Sequence, residues 1–323
     1  MRADWMRSYL PVSFSGLPDE ALPESIPVTH GKVREIVDLG DELLITSSDR
    51  VSAFDRVLAL VPCKGELLNR MSLYWFSQTR DIVANHIVEM VTPRTTRVKK
   101  CRMIPIEVVV RGYLSGSAWR DYREGKPVSG VRLAEGLSKN ERLPEPLVTP
   151  STKETEGHDR PVSEREIIES GVVEQALWQQ IRETALALYE RGSALSAEAG
   201  LILVDTKYEF GLDADGTLTL IDELHTPDSS RYWKADDYER QFSAGQEQYH
   251  LDKEFLRAWL LGKGYSGEGT PPEIPEDVVI ELAGRYIEAV ERLTGAEFEP
   301  MAQDPDREVD RVIDLYSRAG NTR

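Results

Sequence analysis

The chain has 323 residues, 40% of them hydrophobic and 29% charged, and carries a formal net charge of −17 at pH 7. This length supplies ample core for one large or two modest domains, while the acidic balance argues against a general nucleic-acid surface, which needs basic contacts to phosphate. No apolar run approaches membrane-spanning length and residues 1–30 lack a signal-peptide layout, so the expectation is a soluble protein with no membrane association.

In chain order, the first 28 or so residues, rich in Pro and Ser, read as a loosely ordered arm. His30-Gly31-Lys32 stands at a strand entrance, and Val33–Asp38 and Glu42–Ser47 alternate around Leu39-Gly40-Asp41 as a hairpin. Asp49–Asp55 reads as a polar loop. Leu67, Leu68, Met71, Trp75 and Phe76 form a helical stripe within Glu66–Thr79, of the kind that packs into a core. Strands are expected at Ile87–Val91 and Ile104–Tyr113, then Leu114-Ser115-Gly116-Ser117 and a short helix from Ala118. Residues 124–161, rich in Gly, Pro and charge, read as a long surface excursion containing Thr149–Lys153, His158 and Asp159. Ser163 with Glu166 makes a capping box that opens a helical region to about Ala199. Three helical segments near 252–262, 276–293 and 305–318 close the chain. Cys63 and Cys101 form neither a CxxC pair nor a ligand cluster, which fits a reducing cytoplasm.

The most informative stretch is Leu201–Gly211. It begins as a continuous apolar run, as in a strand buried on both faces, and then places Asp205, Lys207 and Glu209 on one face by alternation. Ionisable groups at the end of a buried strand need partners or a metal. Asp213-Ala214-Asp215-Gly216 is a turn signal and Thr217–Asp222 a returning strand. Pairing of Leu212 with Thr217 would set Asp222 opposite Lys207; a slip of one residue would turn it away. Three carboxylates around one lysine suit divalent cations held with a polyphosphate, Mg²⁺ among them, or an internal ladder of charge pairs. Two other matches are rejected. Gly262-Lys263-Gly264-Tyr265-Ser266-Gly267 fits G-x-G-x-x-G but follows a helix instead of a strand, and Asp213–Gly216 resembles a fragment of a calcium loop but lies between strands. There is no Walker A sequence.

Two segments, Ile104–Ser117 (IPIEVVVRGYLSGS) and Val204–Gly211 (VDTKYEFG), closely resemble the signature stretches of the SAICAR synthetase family. Gly31–Glu35, Asp49–Asp55, Thr149–Lys153 and Leu224–Trp233 resemble further family segments in the same order, so the resemblance spans roughly residues 30–260. It implies an α+β, ATP-grasp-like, two-lobed fold with nucleotide between the lobes: residues 1–28 an arm, 29–103 a β-rich ATP lobe and 104–323 a larger α+β lobe. It also implies an ATP-dependent ligase that joins CAIR (carboxyaminoimidazole ribonucleotide) to L-aspartate through an acyl phosphate, giving SAICAR, ADP and phosphate in purine synthesis. By the same resemblance Glu209 and Asp222 are expected to hold Mg²⁺, and Gly31, Lys32 and Lys153 to bind the ATP phosphates, with Lys32 and Lys207 serving catalysis. Arg111, Ser117 and Arg231 are expected at the CAIR phosphate, with Ser230 nearby, and Glu107, Asp205 and Lys207 at the aminoimidazole amine and the reacting carboxylate. Asp49–Asp55 is a candidate for the aspartate pocket. No function is assigned to His225, and monomer and homodimer both stay open. The competing readings are another ATP-grasp-like ligase, a small-molecule kinase, or a catalytically silent nucleotide-binding module that should lack Lys32, Lys153, Glu209 or Asp222, all of which are present.

Overall fold

The computed structural model describes residues 2–24, 26–153, 160–301 and 304–320. They divide into two units: Met1–Tyr74 with His86–Lys100 and Leu251–Arg323, and Trp75–Asn85 with Cys101–His250. Residues 251–323 thus group with the N-terminal residues, whereas the sequence reading grouped them with the larger lobe.

The first unit is built on an antiparallel sheet of β1 (Val28–His30), β2 (Arg34–Asp38), β3 (Glu42–Ser47), β8 (Thr95–Lys99) and β7 (Ile87–Met90), in that spatial order. The expected hairpin is β2–β3, with Val37 opposite Leu44 and both fully buried. A second hairpin joins β4 (Arg50–Ala53) to β5 (Arg56–Leu60). The helical stripe is buried in α2 (Lys64–Gln78), whose last turn belongs to the second unit. The N-terminal residues are not a loose arm. They contain α1 (Arg2–Tyr9), and Phe14, Leu17, Leu22 and Ile26 sit in a core cluster with Val37, Leu44, Val309 and Val312 of α9 (Pro305–Gly320). Their apolar residues follow no helical or strand period, so the pattern hides a segment whose order comes from tertiary burial, each large side chain contributing about 1.5–3 kcal/mol. The two remaining helices are α7 (Glu254–Gly262) and α8 (Glu276–Thr294).

The second unit carries a sheet in the order β10 (Arg142–Thr152), β9 (Arg102–Tyr113), β11 (Leu201–Leu212), β12 (Leu218–Ile221) and β6 (Ala84–Asn85), with β13 (Ser230–Lys234) also on β11. β10 corrects the reading of 124–161 as an excursion. Its three prolines, Pro144, Pro146 and Pro150, argue against a central strand, but this strand lies at the sheet edge, where proline is tolerated. The helical region after Ser163 is two helices, α4 (Glu164–Ser170) with the expected capping box and α5 (Gln175–Glu198), separated at left-handed Gly171. α5 packs on the face of the sheet that buries Val108, Val110 and Tyr208, and a Cβ at Gly112 would meet the Tyr189 hydroxyl at 2.1 Å. The opposite face of β9 and β11 is therefore the one free to carry charge. α3 (Gly116–Arg123) and α6 (Ala235–Ser243) complete the unit.

Candidate active site

Register decides which charged side chains meet. β9 and β11 pair with Asp205 opposite Arg111, Lys207 opposite Val109 and Glu209 opposite Glu107, so all five polar side chains share one face. On β10, Thr149 faces Val109 and Ser151 faces Glu107, and Lys153 continues the same alternation.

At one end of this face Lys207 Nζ lies 2.9 Å from Glu107 Oε1 and 3.6 Å from Asp222 Oδ2, and also donates to Glu209 Oε1; Lys153 takes Glu209 Oε2. Glu107 and Glu209 are like charges directly across the ladder, a destabilising pair unless a cation sits between them. Burial works against the Lys207 charge, but Glu209, Asp222 and Glu107 outweigh it and hold the pKa well above the usual lysine range. Lys207 is thus held as a cation by these three carboxylates. Three carboxylates thus gather around Lys207, with Lys153 also on Glu209.

The other end gathers guanidinium groups. Asp205 Oδ2 accepts from Arg111 Nη1 at 3.0 Å and from Arg231 Nη1 at 2.5 Å, so two guanidinium groups share one carboxylate. Arg111 Nε donates to Thr149 Oγ1 at 2.9 Å and its Nη2 to Ser117 Oγ at 3.1 Å. Gly116, at φ +59°, opens α3 directly against Arg231; a Cβ there would stand 2.4 Å from Nη2. Two clustered guanidinium groups thus stand beside the start of α3, an arrangement suited to an oxyanion. Asp205 and Lys207 are two residues apart, so the cation-seeking and anion-seeking ends are about 7 Å from each other along the strand.

Asp222 arrives by a route that strand alternation did not supply. The observed register pairs Leu212 with Leu218 and Glu209 with Ile221, one residue away from the Leu212–Thr217 pairing, so a continued strand would turn Asp222 to the other face. Instead β12 stops at Ile221, and Asp222 adopts φ 69°, which returns its carboxylate to Lys207. His225, three residues on, is also left-handed at φ 50°. Such conformations cost of order 1 kcal/mol or more each for non-glycine residues and persist only where the surroundings enforce them. His225 is fully buried, and burial pushes its pKa down to about 3, so the ring is neutral. Its Nδ1 has no hydrogen-bond partner among the described residues, at a cost of about 1–3 kcal/mol. Glu223 accepts from the Thr226 hydroxyl.

Not every expected residue joins the network. Ser230 is paired with Thr206 across β11–β13, on the opposite face, and donates to Thr206 Oγ1 at 2.8 Å; the register rotates its side chain away from Asp205 and Lys207. Thr149 was missed as a contact of Arg111, although the alternation Thr149, Ser151, Lys153 was a usable signal. His158 and Asp159 lie outside the described residues. Among the described residues no group of three His, Cys, Asp or Glu side chains is arranged to hold a metal by itself, and no helix is long and apolar enough to cross a membrane.

In the first unit Lys32 pairs with Asp55, and both are about half exposed. The Gly31-Lys32 turn is held by Arg50, whose guanidinium donates to Gly31 O at 2.9 Å, Lys32 O at 3.0 Å and Ser15 O at 2.6 Å and pairs with buried Glu35 at 2.5 Å. His30 reaches the other Glu35 oxygen and Asp19; the Asp19 bond, then Glu35, outweigh partial burial and raise its pKa. Asp49 is buried, accepting from Phe14 N and Gly65 N and pairing with Arg94 at 3.2 Å. Asp49 and Arg50 are therefore consumed by the scaffold, and the stretch expected as a polar loop is in part a strand, β4, with Asp55 following it and paired to Lys32. The rejected glycine-rich stretch has a packing role: Gly267 seats against Phe54, where a Cβ added to it would stand 3.0 Å from Phe54 Cβ.

A lysine-bridged acidic cluster and an arginine pair on one carboxylate share one sheet face of a mixed scaffold of helices and sheets, charges of the kind that phosphorylated small molecules call for. Residues 27–272 match the SAICAR synthetase family. The phosphoribosylaminoimidazole-succinocarboxamide synthase of Legionella pneumophila (strain Paris) is 47% identical over 275 residues, which cover 83% of this chain and 88% of that protein. The SAICAR synthase of Saccharomyces cerevisiae, solved in complex with SAICAR, superposes with a TM-score of 0.76 at 34% identity, covering 86% of this chain and 98% of the other. A type-2 SAICAR synthetase solved with ADP gives a TM-score of 0.66 at 28% identity, over 85% and 100% of the two chains. The chain belongs to the SAICAR synthetase family.

Proposed function

We propose that this protein joins CAIR and L-aspartate at the expense of ATP, releasing SAICAR, ADP and phosphate. The observation that carries the reading is the arrangement of charged side chains on one sheet face, with Lys207 among Glu107, Glu209 and Asp222 and, two residues away, Asp205 between Arg111 and Arg231. Family membership and relatives solved with SAICAR and with ADP support it.

A carboxylate resists attack by an amine because its charge is delocalised and it lacks a leaving group. Transfer of the γ-phosphoryl group to the CAIR carboxylate would supply one, and the aspartate amine would then displace phosphate. Such chemistry asks the protein for alignment and charge neutralisation. Arg111, Ser117 and Arg231 are assigned to the CAIR phosphate, with Asp205 holding the two guanidinium groups in register. Glu107 is assigned to the aminoimidazole amine, and Lys207, held as a cation, to the reacting carboxylate and the negative charge that builds there. Glu209 and Asp222 are assigned to Mg²⁺: two hard carboxylates, with no third ligand arranged for it among the described residues, fit an ion that prefers to complete its shell with phosphate oxygens and water. When bound, that ion would neutralise phosphate charge. Lys153, which shares Glu209, is free to exchange it for a phosphate oxygen, and Gly31 and Lys32 are assigned to the ATP phosphates as well. Asp55 orients Lys32.

The test is ADP release from purified protein with Mg–ATP, CAIR and L-aspartate, each omitted in turn. Release that needs all three, with new succinocarboxamide product, is expected. Release with CAIR but without aspartate would indicate a kinase or a leaking acyl phosphate, and no release from folded protein would overturn the assignment.

A further inference from the structure

The segment Asp222–His225 is gripped from both faces of the sheet. At one end Asp222 lies 3.6 Å from Lys207 on the charged face. At the other, His225 turns into the interior: Nε2 shares a 2.7 Å hydrogen bond with the Tyr208 hydroxyl, and the His225 carbonyl accepts from the Tyr232 hydroxyl at 2.7 Å. The ring lies edge-on to Trp75 at 4.7 Å, and a Cβ at Gly192 would stand 2.3 Å from Cε1. Lys207 and Tyr208 are neighbours on β11, so one strand holds the two ends of the segment with side chains that point in opposite directions. The β12 register by itself would leave Asp222 facing away.

We propose that His225 is a positioning residue for Asp222: docked among Tyr208, Tyr232, Trp75 and Gly192, it sets the chain reversal that carries the Asp222 carboxylate onto the charged face, and so determines the affinity of that face for a divalent cation. This rests on the assignment of Asp222 as a metal ligand. A ring that only filled the core would contribute to stability without affecting cation affinity, which makes the two roles separable.

The probe is Mn²⁺, titrated by electron paramagnetic resonance into the enzyme–ADP complex, with CAIR binding measured in the absence of metal as the control. His225→Ala removes the anchor, and Gly192→Ala displaces the ring while leaving the 222–225 sequence intact. Each is expected to weaken Mn²⁺ binding on the order of tenfold or more, as loss of an outer partner of a metal ligand does, with CAIR affinity unchanged. His225→Gln can still meet the Tyr208 hydroxyl and is expected to restore most of the affinity. In an Asp222→Asn background His225→Ala should cause no further loss, because the two act through one carboxylate. Parental Mn²⁺ affinity in Gly192→Ala and His225→Ala, with the Asp222→Asn variant impaired, would overturn the positioning role and leave the metal assignment standing. Parental affinity in Asp222→Asn would overturn both. Should His225→Ala fail to fold by circular dichroism, Gly192→Ala and His225→Gln decide the matter by the same criteria.

Discussion

Arg50 offers the sharpest test of how the first unit holds its lysine. Arg50→Ala removes the guanidinium that donates to Gly31 O, Lys32 O and Ser15 O and leaves Glu35, which is 0% exposed, without its strongest counter-charge. Breaking a buried pair from one side costs about 3–5 kcal/mol, since the remaining charge stays buried. Here His30 keeps one Glu35 oxygen and Arg50 is itself slightly open to solvent, so the lower end, about 3 kcal/mol, is expected. Urea unfolding should show a lowered midpoint with an unchanged slope. Glu35→Gln combined with Arg50→Ala should cost less than the two changes summed, with a coupling of about 1–3 kcal/mol. Because the carbonyls of Gly31 and Lys32 lose their anchor, the KM for ATP should rise on the order of tenfold or more while the KM for CAIR stays put. Arg50→Lys, which keeps charge but not the fork, should recover stability better than it recovers the KM. A cost below about 1 kcal/mol, additive changes in the cycle, or an unchanged KM for ATP would refute the reasoning.

Three further outcomes are expected. Asp222→Asn should lower kcat while CAIR still binds; full turnover would remove Asp222 from the metal site. Arg231→Ala removes one of the two guanidinium groups that share Asp205 and should raise the KM for CAIR strongly, and an unchanged KM would take Arg231 out of the phosphate site. The neutral, buried His225 makes folding sensitive to acid. Its pKa falls from 6.5 to about 3 on folding, so the unfolded chain takes up a proton that the folded chain refuses. Its contribution is complete above pH 6.5 and drains away as pH falls towards 3, by about 5 kcal/mol in total, and the His225→Gln variant should lose stability less steeply over that window in pH-dependent urea titrations.

The amino-acid sequence alone determined those features that depend on neighbours along the chain. Strand alternation set Asp205, Lys207 and Glu209 on one face and Glu107 with Arg111 on another strand's matching face, and the two signature stretches identified the family. The capping box at Ser163 and the buried stripe of α2 were equally local, and both are present. What only the tertiary structure decided was non-local. Which strand lies at an edge is a property of the sheet, so the prolines of β10 disguised a strand that contributes Thr149 to the site and leads into Lys153. Burial against distant elements ordered the aperiodic N-terminal residues. Arg50 and Asp49 look like ligand candidates until their partners at Gly31, Lys32, Gly65 and Arg94 are seen to take up their charge and hydrogen bonds. Asp222 combines the two cases: the sequence pointed to its carboxylate, but a register shifted by one residue would have lost it, and the sign of one backbone angle returns it to Lys207. Alternation is imposed by the chain on itself, whereas register and the cost of a left-handed residue are settled by whatever packs against them, here the pocket that receives His225.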